Sequence, residues 1–161
     1  MRVNKYCIDK WDKNRDKLKE VIENSNGHHF WDYIDLVKLV IENILNDSED
    51  RYEGWNTEEI VEIDQGDYQG TKLFIFHRYT YQPSCGDYMI TEAGYGSCTV
   101  CDTLQSIQWD NYDYTDPNKE PTESQVKDYM TLCLHLIQQM RFPYWDCGWF
   151  NDRDEKKEIE S

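Results

Sequence analysis

"TKLFIFHRYTY", residues 71–81, decides the architecture. β-Branched and aromatic side chains dominate it, the composition of a strand on a pleated, half-buried surface. Its flanks agree. Upstream, "EEIVEID" (58–64) alternates apolar with acidic side chains, a strand pattern. Between the two, "QGDYQG" (65–70) is a turn signal. Downstream, "QPSCGD" (82–87) turns the chain again, and "YMITEAGY" (88–95) predicts a third strand ended by Gly94 and Gly96. Short turns join antiparallel neighbours, so the block predicts an antiparallel meander.

Helical patterns flank this block. In "DKNRDKLKEVIEN" (12–24), Trp11, Leu18 and Ile22 share a face with Val21 beside it, and Ser25-Asn26-Gly27 ends the helix. "FWDYIDLVKLVIENILN" (30–46) carries a stripe of Phe30, Ile34, Val37, Ile41 and Ile44, widened by Tyr33, Leu36 and Val40. That width predicts the central helix. After the strands, Asp102 is the expected cap of a short helix over 102–109, with Gln105 as its reciprocal partner. "TESQ" (122–125) is a capping box that opens the last helix. Val126, Met130, Cys133, Ile137 and Met140 mark its buried face, and Pro143 stops it. Helices before and after a strand block imply an α+β domain over 1–150. Its expected sheet is antiparallel, three-stranded or slightly larger, with the helices packed on one face. Residues 151–161 form a charged run expected to be a disordered tail.

The 161 residues are 14% aromatic, with 12 Tyr and 6 Trp, too ring-rich for a disordered chain. The charged start lacks the apolar core of a signal peptide, and no window approaches 18 apolar residues. A cytoplasmic location is therefore expected, where the six cysteines stay thiols or metal ligands.

Charge is unevenly spread. The net is −15, but residues 1–19 carry seven bases and three acids, a net of +4. Residues 20–140 carry six bases and 23 acids, a net of −17. Such a body repels phosphate backbones, which argues against direct nucleic-acid binding, and it is drawn to basic protein surfaces.

Cys98 and Cys101, in "GYGSCTVCDTLQSIQW" (94–109), admit three readings. C-x-x-C ahead of a helix is the local order of a thiol redox centre. A thioredoxin-like fold, however, needs βαβ units, and the strands here come as one antiparallel block. The same spacing is a zinc half-site. With no second C-x-x-C, it would recruit Cys85 as third ligand and draw the rest from Cys7, Cys147 or His77. Small buried thiols at a tight strand-to-helix passage are the third reading. The only cofactor in view is thus a zinc ion on Cys85, Cys98 and Cys101.

The segments "GDYQGTKLFIF", "TYQPSCGDYMITEAGYGSCTVCDTLQSIQ" and "ESQVKDYMTLCLHLIQQM" resemble a family of small, uncharacterised phage- and prophage-encoded proteins. The block Y-G-S-C-x-x-C-D-T-L-Q is its most specific part. The resemblance covers roughly residues 66–140. It implies a source, inside a bacterial host, and no mechanism.

Nucleotide-binding, zinc-protease and Ser-His-Asp patterns are absent from the sequence. His28-His29 reads as a surface turn. Asp110, Asp113 and Asp116 recur every third residue, which misfits the every-second-residue spacing of a calcium loop. Together these features predict a non-enzymatic acidic protein that covers a basic surface of a host protein. A nucleic-acid-binding partner such as a defence nuclease would suit, making the chain an inhibitor of the anti-CRISPR type. The alternatives are a zinc- or thiol-dependent domain and a phage structural or assembly component. Two loops combine acids with rings. One offers Asp47, Glu49, Asp50 and Glu53 with Tyr52 and Trp55. The other offers Asp110, Asp113 and Asp116 with Trp109, Tyr112 and Tyr114. Carboxylates orient a basic partner, and rings supply affinity.

Overall fold

A computed structural model describes residues 4–66, 69–97, 102–110 and 112–143. Helix α1 spans Lys5–Glu23, with Asn4 as its N-cap. It starts well before the predicted Asp12. Cys7 continues the buried stripe of Trp11, Leu18 and Ile22 toward the N-terminus, and the basic residues between them masked that continuation.

Past α1, Gly27 adopts a left-handed conformation (φ 84°), and a single 3-10 turn follows at His28–Phe30. Trp31 is extended, and the Asp32/Asp35 capping box then starts helix α2, Tyr33–Val40. The predicted helix thus begins three residues late, and Phe30 leaves its stripe to stand 70% exposed. In the rest of the stripe, Ile34 is half-buried against the core. Val37, Ile41 and Ile44 are buried, the latter two in a widened π-helical turn at Ile41–Leu45.

The sheet has strands β1 (Val61–Gly66), β2 (Gly70–His77) and β3 (Tyr88–Tyr95), in the order β1-β2-β3, all antiparallel. At the β1–β2 turn, a Cβ on Gly66 would lie 2.8 Å from Gly70 Cα, so a larger residue at either position forces the strands apart. Phe74 sits opposite Thr91, and Phe76 opposite Met89. These four are buried and form the inner face. β2 ends at His77 rather than Tyr81; just past it, Arg78 bridges Trp55 and donates its N–H to the Asp87 carbonyl at 2.9 Å. The outer face is apolar yet open, with Val61 and Ile63 exposed and Leu73, Ile75 and Ile90 half-buried.

Helix α3 (Thr103–Trp109) starts at its expected cap. Asp102 Oδ1 accepts from the Gln105 N–H and the Tyr33 hydroxyl, both at 3.0 Å, and Oδ2 accepts from the Gly96 N–H at 2.9 Å. Helix α4 (Glu123–Gln139) opens with the predicted Thr122/Gln125 capping box. α4 packs on β3 and against α1, α2 and α3. Thr91 Oγ1 donates to the Leu136 carbonyl at 2.7 Å, tying sheet to helix. Beyond α4 the chain turns back along β3, where Arg141 and Ile90 exchange two backbone hydrogen bonds of 2.9 Å. The fold is α+β, with an open three-stranded antiparallel sheet covered by helices on its inner face.

Candidate partner-binding surface

Residues 109–110 and 112–118 form one surface with the turn at 28–31, joined through buried Gln108 and braced by buried Gln125. Gln108 Nε2 donates to the carbonyls of His28 (3.1 Å) and Trp31 (2.6 Å). Its own carbonyl accepts from His29 Nδ1 at 2.7 Å. Gln125 Nε2, at the start of α4, donates to the carbonyls of Ile107 and Asp110, both at 2.9 Å. The end of α3 is thereby fixed from both sides.

On this frame stands a chain of edge-on rings. Tyr112 is its hub, with its centroid 4.5 Å from His29, 4.7 Å from Trp109 and 4.7 Å from Tyr114. T-shaped contacts set the positive edge of one ring on the negative face of the next, which fixes orientation as well as adding contact. Inward, His29 meets His28 at 3.9 Å, and His28 meets Tyr129 at 5.5 Å. His28 Nδ1 lies 2.6 Å from the Tyr129 hydroxyl. Burial and the neighbouring His29 lower the His28 pKa to about 4, and burial pushes the Tyr129 hydroxyl up. The histidine pair is therefore a rung between core and surface, where the sequence suggested a plain surface turn. Outward, Trp109 is 47% and Tyr114 82% exposed. A Cβ on Gly27 would meet both Phe30 and Asn118, so exposed Phe30 borders the same surface.

The acids of this segment are arranged by local turns. Asp113 Oδ1 accepts from the Thr115 N–H (2.9 Å) and hydroxyl (2.6 Å), and these bonds hold its carboxyl below the usual range. Asp110 and Asp116 are exposed. The surface joins carboxylates with rings that are open on one side and braced on the other.

The second candidate loop behaves differently. Trp55 is 0% exposed, which corrects its assignment as a contact ring. Asn46 grips its backbone with Oδ1 on the N–H (2.7 Å) and Nδ2 on the carbonyl (2.9 Å). A Cβ on the preceding Gly54 would lie 2.7 Å from Asn46 Oδ1, so glycine is what lets that grip close. Asp47 is also engaged internally. It accepts from Lys10 (2.6 Å), Lys13 (3.2 Å) and Asn14 (3.2 Å). Burial opposes its charge, but those donors outweigh it and hold its pKa at about 2. Asp50 caps the Tyr52 N–H at 3.0 Å, and Glu53 accepts from Ser48 at 2.7 Å. Glu49 and Tyr52 are exposed, with the Arg51 guanidinium over the Tyr52 ring. The two loops flank opposite parts of α1. Asp47 lies beside Lys10 and Lys13, and Tyr112 against His29 beyond the helix's C-terminal end.

Of the zinc candidates, Cys85 is exposed in a 3-10 turn at Cys85–Asp87, while Cys98 and Cys101 lie outside the described residues. Among the described residues, no group of three His, Cys, Asp or Glu side chains is placed to hold a metal ion. Among them, too, no helix is long and apolar enough to cross a membrane. In comparisons with known proteins, no family model, no curated protein and no solved structure matches this chain.

Proposed function

We propose that this chain is a non-enzymatic binding protein that places the surface of residues 109–110 and 112–116 on a basic face of a partner protein. The braced ladder His29–Tyr112–Trp109/Tyr114 carries this reading, because it leaves two large rings exposed while holding them in place. Pre-ordered rings bind without the entropic cost of being fixed on contact. Asp110, Asp113 and Asp116 beside them favour a basic partner, and the net charge of −15 adds long-range attraction. A nucleic-acid-binding groove is such a partner. The resemblance to phage-encoded proteins makes a bacterial defence nuclease the specific candidate, with inhibition by blocking its groove.

The test is affinity capture from bacterial lysate with the wild type and with a Trp109→Ala/Tyr114→Ala double variant. A partner retained by the wild type at low salt, released steeply as salt rises and missed by a variant of unchanged melting temperature supports the proposal. Equal retention by both proteins, or no partner at low salt, overturns it.

A further inference from the structure

Three sulfur atoms from three separate elements meet in the core. Cys7 lies in the first turn of α1, Met89 is the second residue of β3, and Met140 is the C-cap of α4. The Cys7 thiol is 3.6 Å from Met89 Sδ and 3.8 Å from Met140 Sδ. All three residues are buried. A thiol has one proton, so it cannot donate fully to both thioethers.

We propose that Cys7, Met89 and Met140 form a site for a monovalent soft metal ion, copper(I), bound by one thiolate and two thioethers. Thiolate and thioether ligands select copper(I) over harder ions. The two separations at Cys7 suit it. With metal–sulfur bonds of about 2.3 Å, three sulfurs around one ion lie about 4 Å apart. The Cys7–Met89 and Cys7–Met140 separations need to grow by only a few tenths of an ångström. Charge also suits it. The ion replaces the thiol proton, which leaves to solvent, and no electron is transferred. A neutral thiol becomes a neutral metal thiolate, so no net charge enters the apolar core. A divalent ion in the same place would leave a positive charge there, which burial penalises.

Two further observations bear on the site. Among the described residues, two buried side-chain atoms lack hydrogen-bond partners, Asn4 Nδ2 and Gln139 Oε1. Asn4 caps the turn that carries Cys7, with its Oδ1 accepting the Cys7 N–H at 3.4 Å, and Gln139 directly precedes Met140. Buried polar atoms are nearly always paired, and these two unpaired ones belong to the cap of the turn that carries Cys7 and to the residue before Met140. All three sulfurs also lie at or near the ends of their elements, where local opening takes the least free energy and gives an ion its way in.

The full chain, labelled with 13C at its methionine methyls, is titrated anaerobically with silver(I), and in parallel with copper(I) against bicinchoninate. The expected result is a shift of the Met89 and Met140 methyl resonances at one equivalent, with Met130 unmoved and one proton released per ion. Met89→Leu and Met140→Leu, which nearly conserve volume, assign the two resonances. Each is expected to weaken copper(I) retention against the chelator about tenfold or more, since each removes one of three ligands. No binding above the chelator overturns the proposal. Binding that leaves both methyls unmoved places the metal on the other cysteines and overturns it equally. If a leucine variant does not fold, the wild-type methyl shifts decide alone.

Discussion

Trp55 and Trp109 carry the same side chain into opposite surroundings. Trp55 is packed edge-on to Phe76 at 5.5 Å, donates to the Tyr6 hydroxyl at 3.2 Å and has the Arg78 guanidinium 4.4 Å from its ring centre. Trp109 leans on Tyr112 and keeps nearly half its surface in solvent. Trp55→Ala is therefore expected to lower stability by about 3–5 kcal/mol through cavity formation, a fall of roughly 6–20 °C in melting temperature. Trp109→Ala and Tyr114→Ala are expected to stay within about 0.5 kcal/mol of the wild type. Parallel thermal melts check both, and a Trp55→Ala protein that melts with the wild type contradicts its burial. In sequence the two tryptophans look alike, each beside acids in a polar stretch. What separates them is the grip of Asn46, nine residues before Trp55, and the gap that Gly54 leaves for it.

Elements show where sequence patterns carry and where they stop. The strand predicted over 88–95 between two turn signals and the Thr122/Gln125 box became β3 and the start of α4, because both signals are local and self-contained. The break before α2 was hidden, because Phe30 falls in register with Ile34 and Val37 while the chain between is extended at Trp31. Likewise, the ring ladder joins His29 to Tyr112, a pairing that only the tertiary structure creates. Gln125 links these scales. Its Oε1 accepts the Thr122 N–H at 2.9 Å within the capping box, while its Nε2 holds the end of α3. Gln125→Glu keeps the acceptor and removes the donors, leaving the Ile107 and Asp110 carbonyls unpartnered. The expected outcome is a loss of about 1–3 kcal/mol with faster amide exchange over residues 107–118 and little change at the start of α4. Unchanged exchange over that segment would show that Gln125 does not brace the surface.

For the whole molecule, acid is the revealing variable. His28 titrates at about 4 in the fold against an ordinary 6.5. Between those values the unfolded chain binds a proton that the fold refuses, so stability falls as pH falls, by on the order of 2 kcal/mol. Asp47 adds a later stage. Its folded value of about 2 lies below the ordinary 3.8, so its contribution, about 1 kcal/mol after solvent screening, is lost as pH drops through that window. Loss of net negative charge acts in the opposite sense, relieving self-repulsion, so variants isolate each site. Melts from pH 7 to 2.5 are expected to show a shallower first stage in His28→Gln and a shallower second in Asp47→Asn. Identical profiles for wild type and His28→Gln would contradict a buried neutral imidazole. The order of the elements has a further consequence, for synthesis. α4 and the strap at Arg141 leave the ribosome after the strands they cover. At about 5–20 residues per second, the chain between Tyr95 and Gln139 takes roughly 2–9 s to make. For those seconds the inner face of β3 lacks α4 over it and its edge is bare, so the nascent sheet waits for the helix that completes it.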